Sequence, residues 1–301
     1  MSRLKFLVSL TTRDNDYQQE QAHCAQLTAG KSGIDLEILY AEGDSITQST
    51  QLLKAIQANP AERPNAIIFE PAGATALPQV ARAAIAAGIG WVVLNWEAAY
   101  ISELRRNDSV PIFRVSPDQT EVGRISGKQC AALLPGGGEI LYIEGPSHSE
   151  AARDRGIGMR ETKPGNIHMT VLKGQWTEES AKKAVAAWLK LTTSQKATID
   201  LVASQNDVMA VGARKAFQEI PNEQERLRWS SIPLLGCDGV PRTGQAWVRS
   251  GLLVATIIIP PTTGQAIEMM AGTLVNKTAP PERAFAPVKS FPEIESLRIR
   301  K

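Results

Sequence analysis

The chain has 301 residues, 43% of them hydrophobic, enough for two domains of ordinary size or one large one. Its 33 Lys and Arg residues face 31 Asp and Glu, and the net charge of +2 is spread thinly; this argues against a nucleic-acid surface, and the tail Arg298-Ile299-Arg300-Lys301 is too short to alter that. Cys24, Cys130 and Cys237 are too few and too far apart for a disulfide framework or a zinc pattern, and His23, His148 and His168 are equally scattered.

Short apolar runs alternate with amphipathic stretches from the first residues onward. The runs Lys5–Leu10, Asp35–Tyr40, Ala66–Phe69, Trp91–Leu94 and Ile112–Val115 predict strands. A second series of strands is expected at Glu139–Ile143, His168–Leu172, Leu201–Ala203, Pro233–Leu235 and Val254–Ile258. Helical spacing fills the gaps at Tyr17–Gly30, Ser45–Ala58, Ala76–Ala87, Thr120–Leu134, Glu150–Arg160, Glu178–Thr193 and Val208–Glu219, with another helix over Thr263–Thr273. Strand and helix alternating this regularly predict parallel sheets covered on both faces, with right-handed crossovers. Because the pattern occurs twice, the expected fold is α/β, in two doubly wound parallel-sheet lobes. Pro260-Pro261 should mark a crossing or a stop, and the proline-rich stretch from Pro280 to Pro292 is expected to be extended surface chain. No stretch is long and apolar enough to span a bilayer. Met1-Ser2-Arg3 leads directly into the first strand with no secretory leader pattern, so a periplasmic location requires a removed leader and a native start at Met1 implies the cytoplasm.

The most informative segment is Ser204-Gln205-Asn206-Asp207, at the carboxyl end of the apolar run Leu201-Val202-Ala203. In open α/β sheets ligands bind outside the carboxyl ends of strands. Asn206 offers a donor and an acceptor, and Asp207 offers acceptors and can cap the following helix, a combination better suited to a neutral polyhydroxy ligand than to a phosphate. Other motifs are weaker. Pro135-Gly136-Gly137-Gly138 lacks the ending of a phosphate loop and precedes a strand, so it reads as a helix stop. Gly156-Ile157-Gly158 lies inside a predicted helix and lacks the third glycine of a dinucleotide fingerprint. No Gly-x-Ser-x-Gly elbow occurs. The pairs Asp14/Asp16 and Glu97/Asp238 are carboxylates of the kind that flank a glycosidic bond, but hydrogen-bonding carboxylates are far commoner than catalytic ones.

Five blocks, in order, carry a family resemblance. They are Val115-Ser116-Pro117-Asp118 with Gly123 and Gly127, Ile143-Glu144-Gly145-Pro146 with Ala151 to Gly156, and Gln205-Asn206-Asp207 through Ala213. Leu235-Gly236-Cys237-Asp238-Gly239 follows, and the last runs from Ala255-Thr256-Ile257 to Pro261-Thr262-Thr263-Gly264. Together they resemble the type I periplasmic sugar-binding proteins of the ribose-binding-like family, whose fold also forms the effector domains of lac-repressor-type regulators. No helix-turn-helix headpiece precedes residue 4.

The resemblance implies lobes of residues 1–114 plus 260–287 and 115–259 plus 288–301, with a ligand cleft between them. It also implies a three-strand hinge near Arg114–Ser116, Ile259–Pro260 and Ala286–Lys289. Carried over residue by residue, it places Asp14, Asp16 and Tyr17 in the wall after the first strand and Arg153 on ligand hydroxyls. Trp176 becomes an aromatic platform, and Asn206 and Asp238 become hydroxyl-binding residues at strand ends. Where the family commonly has an acid followed by an arginine, this chain has Asn95-Trp96-Glu97, and a family glutamine is replaced by Ile259. Both departures remove hydrogen-bonding capacity, which points away from ribose toward a hexose, a cyclitol, a less hydroxylated sugar or a non-sugar ligand. The chemistry agrees: sugar C–H faces pack on aromatic rings, and hydroxyls bond strongly to charged partners.

The leading expectation is a non-enzymatic solute receptor of an ABC-type sugar transport system. It would clamp its ligand by hinge closure and dock with an ABC permease or a signalling partner, with no cofactor, no metal, no nucleic acid and no membrane insertion. The alternative is a stand-alone cytoplasmic ligand-sensing domain related to repressor effector cores. An enzyme on a doubly wound fold is a third class, without a recognisable nucleophile, metal or cofactor motif to support it.

Overall fold

The computed structural model describes residues 3–73, 75–107, 110–195 and 197–298; residues 299–301 of the basic tail lie outside the described residues. In chain order the elements begin with β1 (Lys5–Leu10), α1 (Asp16–Lys31), β2 (Asp35–Tyr40), α2 (Ser45–Gln57), β3 (Ala66–Phe69), α3 (Pro78–Ala86), β4 (Gly90–Leu94), α4 (Tyr100–Leu104) and β5 (Ile112–Pro117). There follow α5 (Gln119–Leu133), β6 (Gly138–Glu144), α6 (Glu150–Thr162), β7 (Ile167–Lys173), α7 (Glu178–Leu189), α8 (Thr192–Gln195), β8 (Leu201–Ser204), α9 (Asp207–Gln218) and α10 (Glu223–Ser230). The last are β9 (Leu234–Leu235), α11 (Gly244–Arg249), β10 (Thr256–Ile258), α12 (Thr262–Asn276), β11 (Arg283–Ala286) and β12 (Lys289–Phe291). The short helices α4, α10 and α11 add to the elements expected from periodicity.

The chain divides into two compact units, Met1–Pro117 with Pro261–Ala286, and Asp118–Pro260 with Pro287–Lys301. The first holds a six-stranded sheet in the order β11-β5-β4-β3-β1-β2, every neighbouring pair parallel. Its strands are apolar on both faces, as a doubly covered sheet demands. Leu7, Ile67, Phe69, Trp91 and Val93 pack on one side with Leu52, Val80 and Ala84, while Phe6, Val8, Ile68, Val92 and Leu94 pack on the other with Ala25, Ile267 and Met270. The alternation of Phe6, Leu7 and Val8 between these clusters is the period-two geometry of a strand.

The second unit holds a parallel sheet in the order β7-β6-β8-β9, with Leu141, Ile143 and Val202 facing one core and Ile140, Tyr142, Leu201 and Ala203 the other. Helices start where a side chain satisfies free amides: Asn15, Asp44, Asp118, Ser149, Thr177 and Asn206 each cap one. After Leu133 the helix stops as expected, and Gly137 and Gly138 take positive φ on the way into β6.

Two expectations are corrected. The stretch from Pro280 to Pro292 is not simply extended surface chain. β11 adds a parallel edge strand beside β5, β12 pairs antiparallel with β10, and Ala286 and Ser290 are buried. Nor does Val254–Ile258 extend the second parallel sheet as a full strand. Only a bridge from Leu235 to Ala255 links it to β9, and its ladder partner is β12. Among the described residues no helix is long and apolar enough to cross a membrane.

Candidate functional site

In each unit the sheet order places the topological switch point beside known polar residues. In the first, β1 lies between β3 and β2, so Thr11 and Glu70, just beyond the ends of β1 and β3, flank the switch. Gln18, on the first turn of α1, is only 4% exposed: its Oε1 accepts from the Thr11 amide at 3.1 Å and its Nε2 donates to Glu70 Oε2 at 2.9 Å. Asn95 Nδ2 donates to the same carboxylate oxygen at 3.1 Å, and Asn95 Oδ1 accepts from the Thr262 hydroxyl at 3.3 Å. Gln48 holds the Glu70 carbonyl at 2.8 Å. Asn95 itself adopts φ +55° at the end of β4, a left-handed conformation that asparagine tolerates better than most residues.

The other predicted residues of this unit are spread around that network. Asp14 is exposed, its amide donating to Thr12 Oγ1 at 3.2 Å. Asp16 and Tyr17 form the first turn of α1, half-buried, with the Tyr17 amide donating to both Asn15 and Asp16 carboxamide or carboxylate oxygens at 2.9 Å. Trp96 packs against the core beneath β4, half-buried. Glu97 is engaged by Arg114 and, at 3.3 Å, by Arg283, so it is held as part of an ion-paired cluster in this unit.

In the second unit the switch lies between β6 and β8. Gln205, at the end of β8 and 3% exposed, accepts from the Gly145 amide (2.8 Å) and donates to the Tyr142 hydroxyl and the Ala152 carbonyl (2.9 Å each). Burial pushes the Tyr142 phenol well above its ordinary value, so it stays neutral in this network. Arg155, 8% exposed on α6, donates to Gln119 Oε1 at 2.8 Å and to the Gln205 carbonyl. Its guanidinium lies 5.5 Å from the Trp176 ring centroid and 3.8 Å from Asp238 Oδ1.

Asn206 joins the same assembly. Its Oδ1 caps α9 by accepting from the Met209 amide at 2.9 Å, and its Nδ2 donates to the Trp176 carbonyl at 3.1 Å. Asp207, 1% exposed, accepts from the Gly239 amide at 2.8 Å and the Thr256 hydroxyl at 2.6 Å, which is a scaffolding role. Trp176 has φ +62° and Asp238 φ +111°, both costly for residues with a Cβ. The indole lies close against Gly145: a Cβ there would fall 2.3 Å from Trp176 Cζ2.

Thus Arg155 brings Trp176 and Asp238 together, and Asn206 joins them through the Trp176 carbonyl. Arg153, two residues earlier, turns to Asp154 at 3.0 Å and is 59% exposed. Glu70, Gln18, Arg155 and Gln205 escaped the sequence reading as site residues. Glu70 had a signal: it follows the apolar run Ala66–Phe69 just as Gln205 and Asn206 follow Leu201–Ser204.

A family model described as the periplasmic binding protein domain matches residues 6–278. The chain is 28% identical over 262 residues to the xylitol-binding protein of Mycolicibacterium smegmatis, covering 83% of this chain and 67% of that protein. It is 24% identical over 257 residues to the ribose import binding protein of Salmonella typhimurium, covering 85% and 79%. Its fold matches that of a periplasmic solute-binding protein of an ABC transporter from Actinobacillus succinogenes with bound D-allose, at TM-score 0.81 and 21% identity, over 98% of this chain and 99% of that one. It also matches the myo-inositol binding protein of Caulobacter at TM-score 0.76 and 17% identity, over 96% and 93%.

Proposed function

This chain belongs to the periplasmic binding protein domain family, and we propose that it is the solute-binding receptor of an ABC-type sugar transport system, taking a monosaccharide, a cyclitol or a similar small polyhydroxy ligand. The observation that carries the reading is the chemistry at the two switch points: amides, carboxylates and a guanidinium in fixed hydrogen-bonded arrays, with an indole beside one of them. Such arrays satisfy hydroxyls that both donate and accept, and an aromatic face accepts the C–H face of a ring. A carboxylate or guanidinium partner strengthens each bond, and a hydroxyl of the wrong configuration leaves a polar group unsatisfied at about 1–3 kcal/mol.

In this proposal Asn95 and the residues around Tyr17 serve the ligand from the first unit, and Trp176, Asn206 and Asp238 serve it from the second with the exposed guanidinium of Arg153, while buried Arg155 holds Trp176 and Asp238 in place. The ligand is clamped between the two units, released unchanged, and delivered in the periplasm to a membrane permease. The relatives' named ligands, xylitol and ribose, support a polyol or sugar here without fixing which one. The replacement of an acid–arginine pair by Asn95-Trp96 favours a ligand with fewer charge-assisted contacts than ribose enjoys in the family.

The test is a thermal-shift and tryptophan-fluorescence titration against pentoses, hexoses, pentitols and inositols. A ligand that binds only the native state raises the melting temperature by mass action, by about 2.7 kcal/mol of stabilisation at a hundredfold excess over Kd. A saturable response to one of these classes, with the ligand recovered chemically unchanged, is the expected result. No response to any of them, with a response to a non-hydroxylated metabolite, would overturn the assignment.

A further inference from the structure

Two chains of side-chain hydrogen bonds converge on Glu70 Oε2. The Thr263 amide donates to Gln21 Oε1 at 3.0 Å, which leaves the Gln21 Nε2 group to donate to Thr262 Oγ1 at 2.9 Å. The Thr262 hydroxyl then donates to Asn95 Oδ1, and Asn95 Nδ2 donates to Glu70 Oε2. From the other side the Thr11 amide fixes Gln18 Oε1, so Gln18 Nε2 donates to the same carboxylate oxygen. Backbone amides therefore set the outer ends of the relay, and Glu70 Oε2, which accepts from both side-chain amides, terminates it. Gln48 ties down the Glu70 carbonyl and, through Oε1, the Ala72 amide at 2.9 Å, so the terminus itself is held in place.

The side-chain amide of Asn95 is symmetric in shape but not in chemistry. With its NH2 group drawn to Glu70, its oxygen is committed to the opposite side. The acid expected on the fourth strand's end is absent there, and a carboxylate stands 3.1 Å away on the end of β3 instead. We propose that Glu70 is a specificity-determining positioning residue: it fixes the donor and acceptor faces of Asn95, and through Asn95 it decides which hydroxyl configuration the first unit accepts. This rests on the polyhydroxy-ligand reading given above, since Asn95 is taken there as a ligand-binding residue.

Positioning and direct binding are separable because both amides use one oxygen of Glu70. In Glu70→Gln an amide oxygen can occupy that place and keep both bonds, weakened but correctly directed. In Glu70→Ala the acceptor is gone: Asn95 keeps only the 3.3 Å bond from the Thr262 hydroxyl and is free to turn, while Gln18 stays oriented by the Thr11 amide. The two variants and the wild type would be titrated by calorimetry with the best sugar or polyol and with its epimers. Side-chain amide resonances of Asn95 and Gln18 would be followed by NMR without ligand, assigned with Asn95→Asp and Gln18→Glu.

The expected result has three parts. Glu70→Ala loses about tenfold or more in affinity and most of the preference over epimers; Glu70→Gln stays within about threefold of wild type and keeps the preference; and the Asn95 amide resonances move strongly only in Glu70→Ala. An unchanged epimer ratio in Glu70→Ala would overturn the proposal. So would a Glu70→Gln variant as impaired as Glu70→Ala, because that would make the charge itself a ligand contact. Should the wild type bind no sugar or polyol, the receptor reading falls, while the ligand-free resonances still decide it: an Asn95 amide that does not move in Glu70→Ala overturns the positioning role, and one that does move supports it.

Discussion

Trp176 pays a conformational cost that its surroundings must offset. A left-handed backbone disfavours a bulky side chain by about 1–3 kcal/mol, and the conformation persists because Asn206 grips the Trp176 carbonyl and the ring rests on Gly145. Asn95 shares that conformation and Asp238 also has a positive φ, so three of the residues singled out from sequence sit where the backbone is least relaxed. Gly145 gives a direct handle on this arrangement. The Cβ of an alanine there would lie 2.3 Å and 2.4 Å from two ring carbons of Trp176, and a rigid indole cannot yield by bending. The ring is half-buried, however, and has solvent to swing into. Gly145→Ala is therefore expected to lower the melting temperature by no more than about 4 °C while weakening ligand binding about tenfold and shifting the tryptophan emission. Calorimetry, a thermal melt and a fluorescence spectrum decide it; wild-type affinity would mean that the indole is no platform for the ligand. Part of this site was legible in the sequence because polar residues directly after apolar runs mark strand ends. Arg155 was not, since two arginines on one helix look alike until packing buries one and exposes the other.

At the scale of elements, the glycines of α5 and α6 do what no nucleotide fingerprint was needed to explain. A Cβ on Gly158 would meet the Thr120 carbonyl oxygen at 1.9 Å, and one on Gly123 would meet the Arg155 carbonyl oxygen at 2.1 Å. The two helices thus touch backbone to backbone, and that contact carries Arg155 to its place. Because the obstructing atoms are helix backbone, they cannot move aside as a long side chain would. Gly158→Ala is expected to destabilise the second unit by about 1–3 kcal/mol or more, read as a lower denaturant midpoint with an unchanged slope. Gly30→Ala is the control: nothing lies within 4 Å of that Cβ, and near the end of α1 the change should stabilise by about 0.5–1 kcal/mol. A Gly158→Ala protein as stable as the wild type would refute the close-packing account. The strands β11 and β12 show where element-level reading stopped. Prolines on either side made Pro280 to Pro292 look like unstructured punctuation, yet the pairing partners are Arg114 to Pro117 and Thr256 to Ile258. Nothing local in a three- or four-residue run announces a partner so far away in the chain.

For the whole molecule, the chain passes from one compact unit to the other at Pro117–Asp118, Pro260–Pro261 and Ala286–Pro287. Every passage includes proline, whose fixed φ leaves only part of the backbone free to turn there. Under the proposed clamping, a ligand favours whichever arrangement of the units lets both polar arrays reach it, by no more than its difference in affinity for the two arrangements. That gives a prediction that neither unit can satisfy by itself. Small-angle scattering with saturating sugar or polyol should show a smaller radius of gyration than without it, at the concentration that saturates the thermal shift. Asn95→Ala in the first unit and Asp238→Ala in the second should each remove the compaction at that ligand concentration, because losing either array leaves nothing to bridge. In the double variant the loss of affinity should fall short of the sum of the single losses, since a ligand held by one array alone gains nothing further from closure. Tight binding without compaction, or a loss of affinity confined to the variant in one unit, would show that one unit binds alone and that the clamping mechanism is wrong.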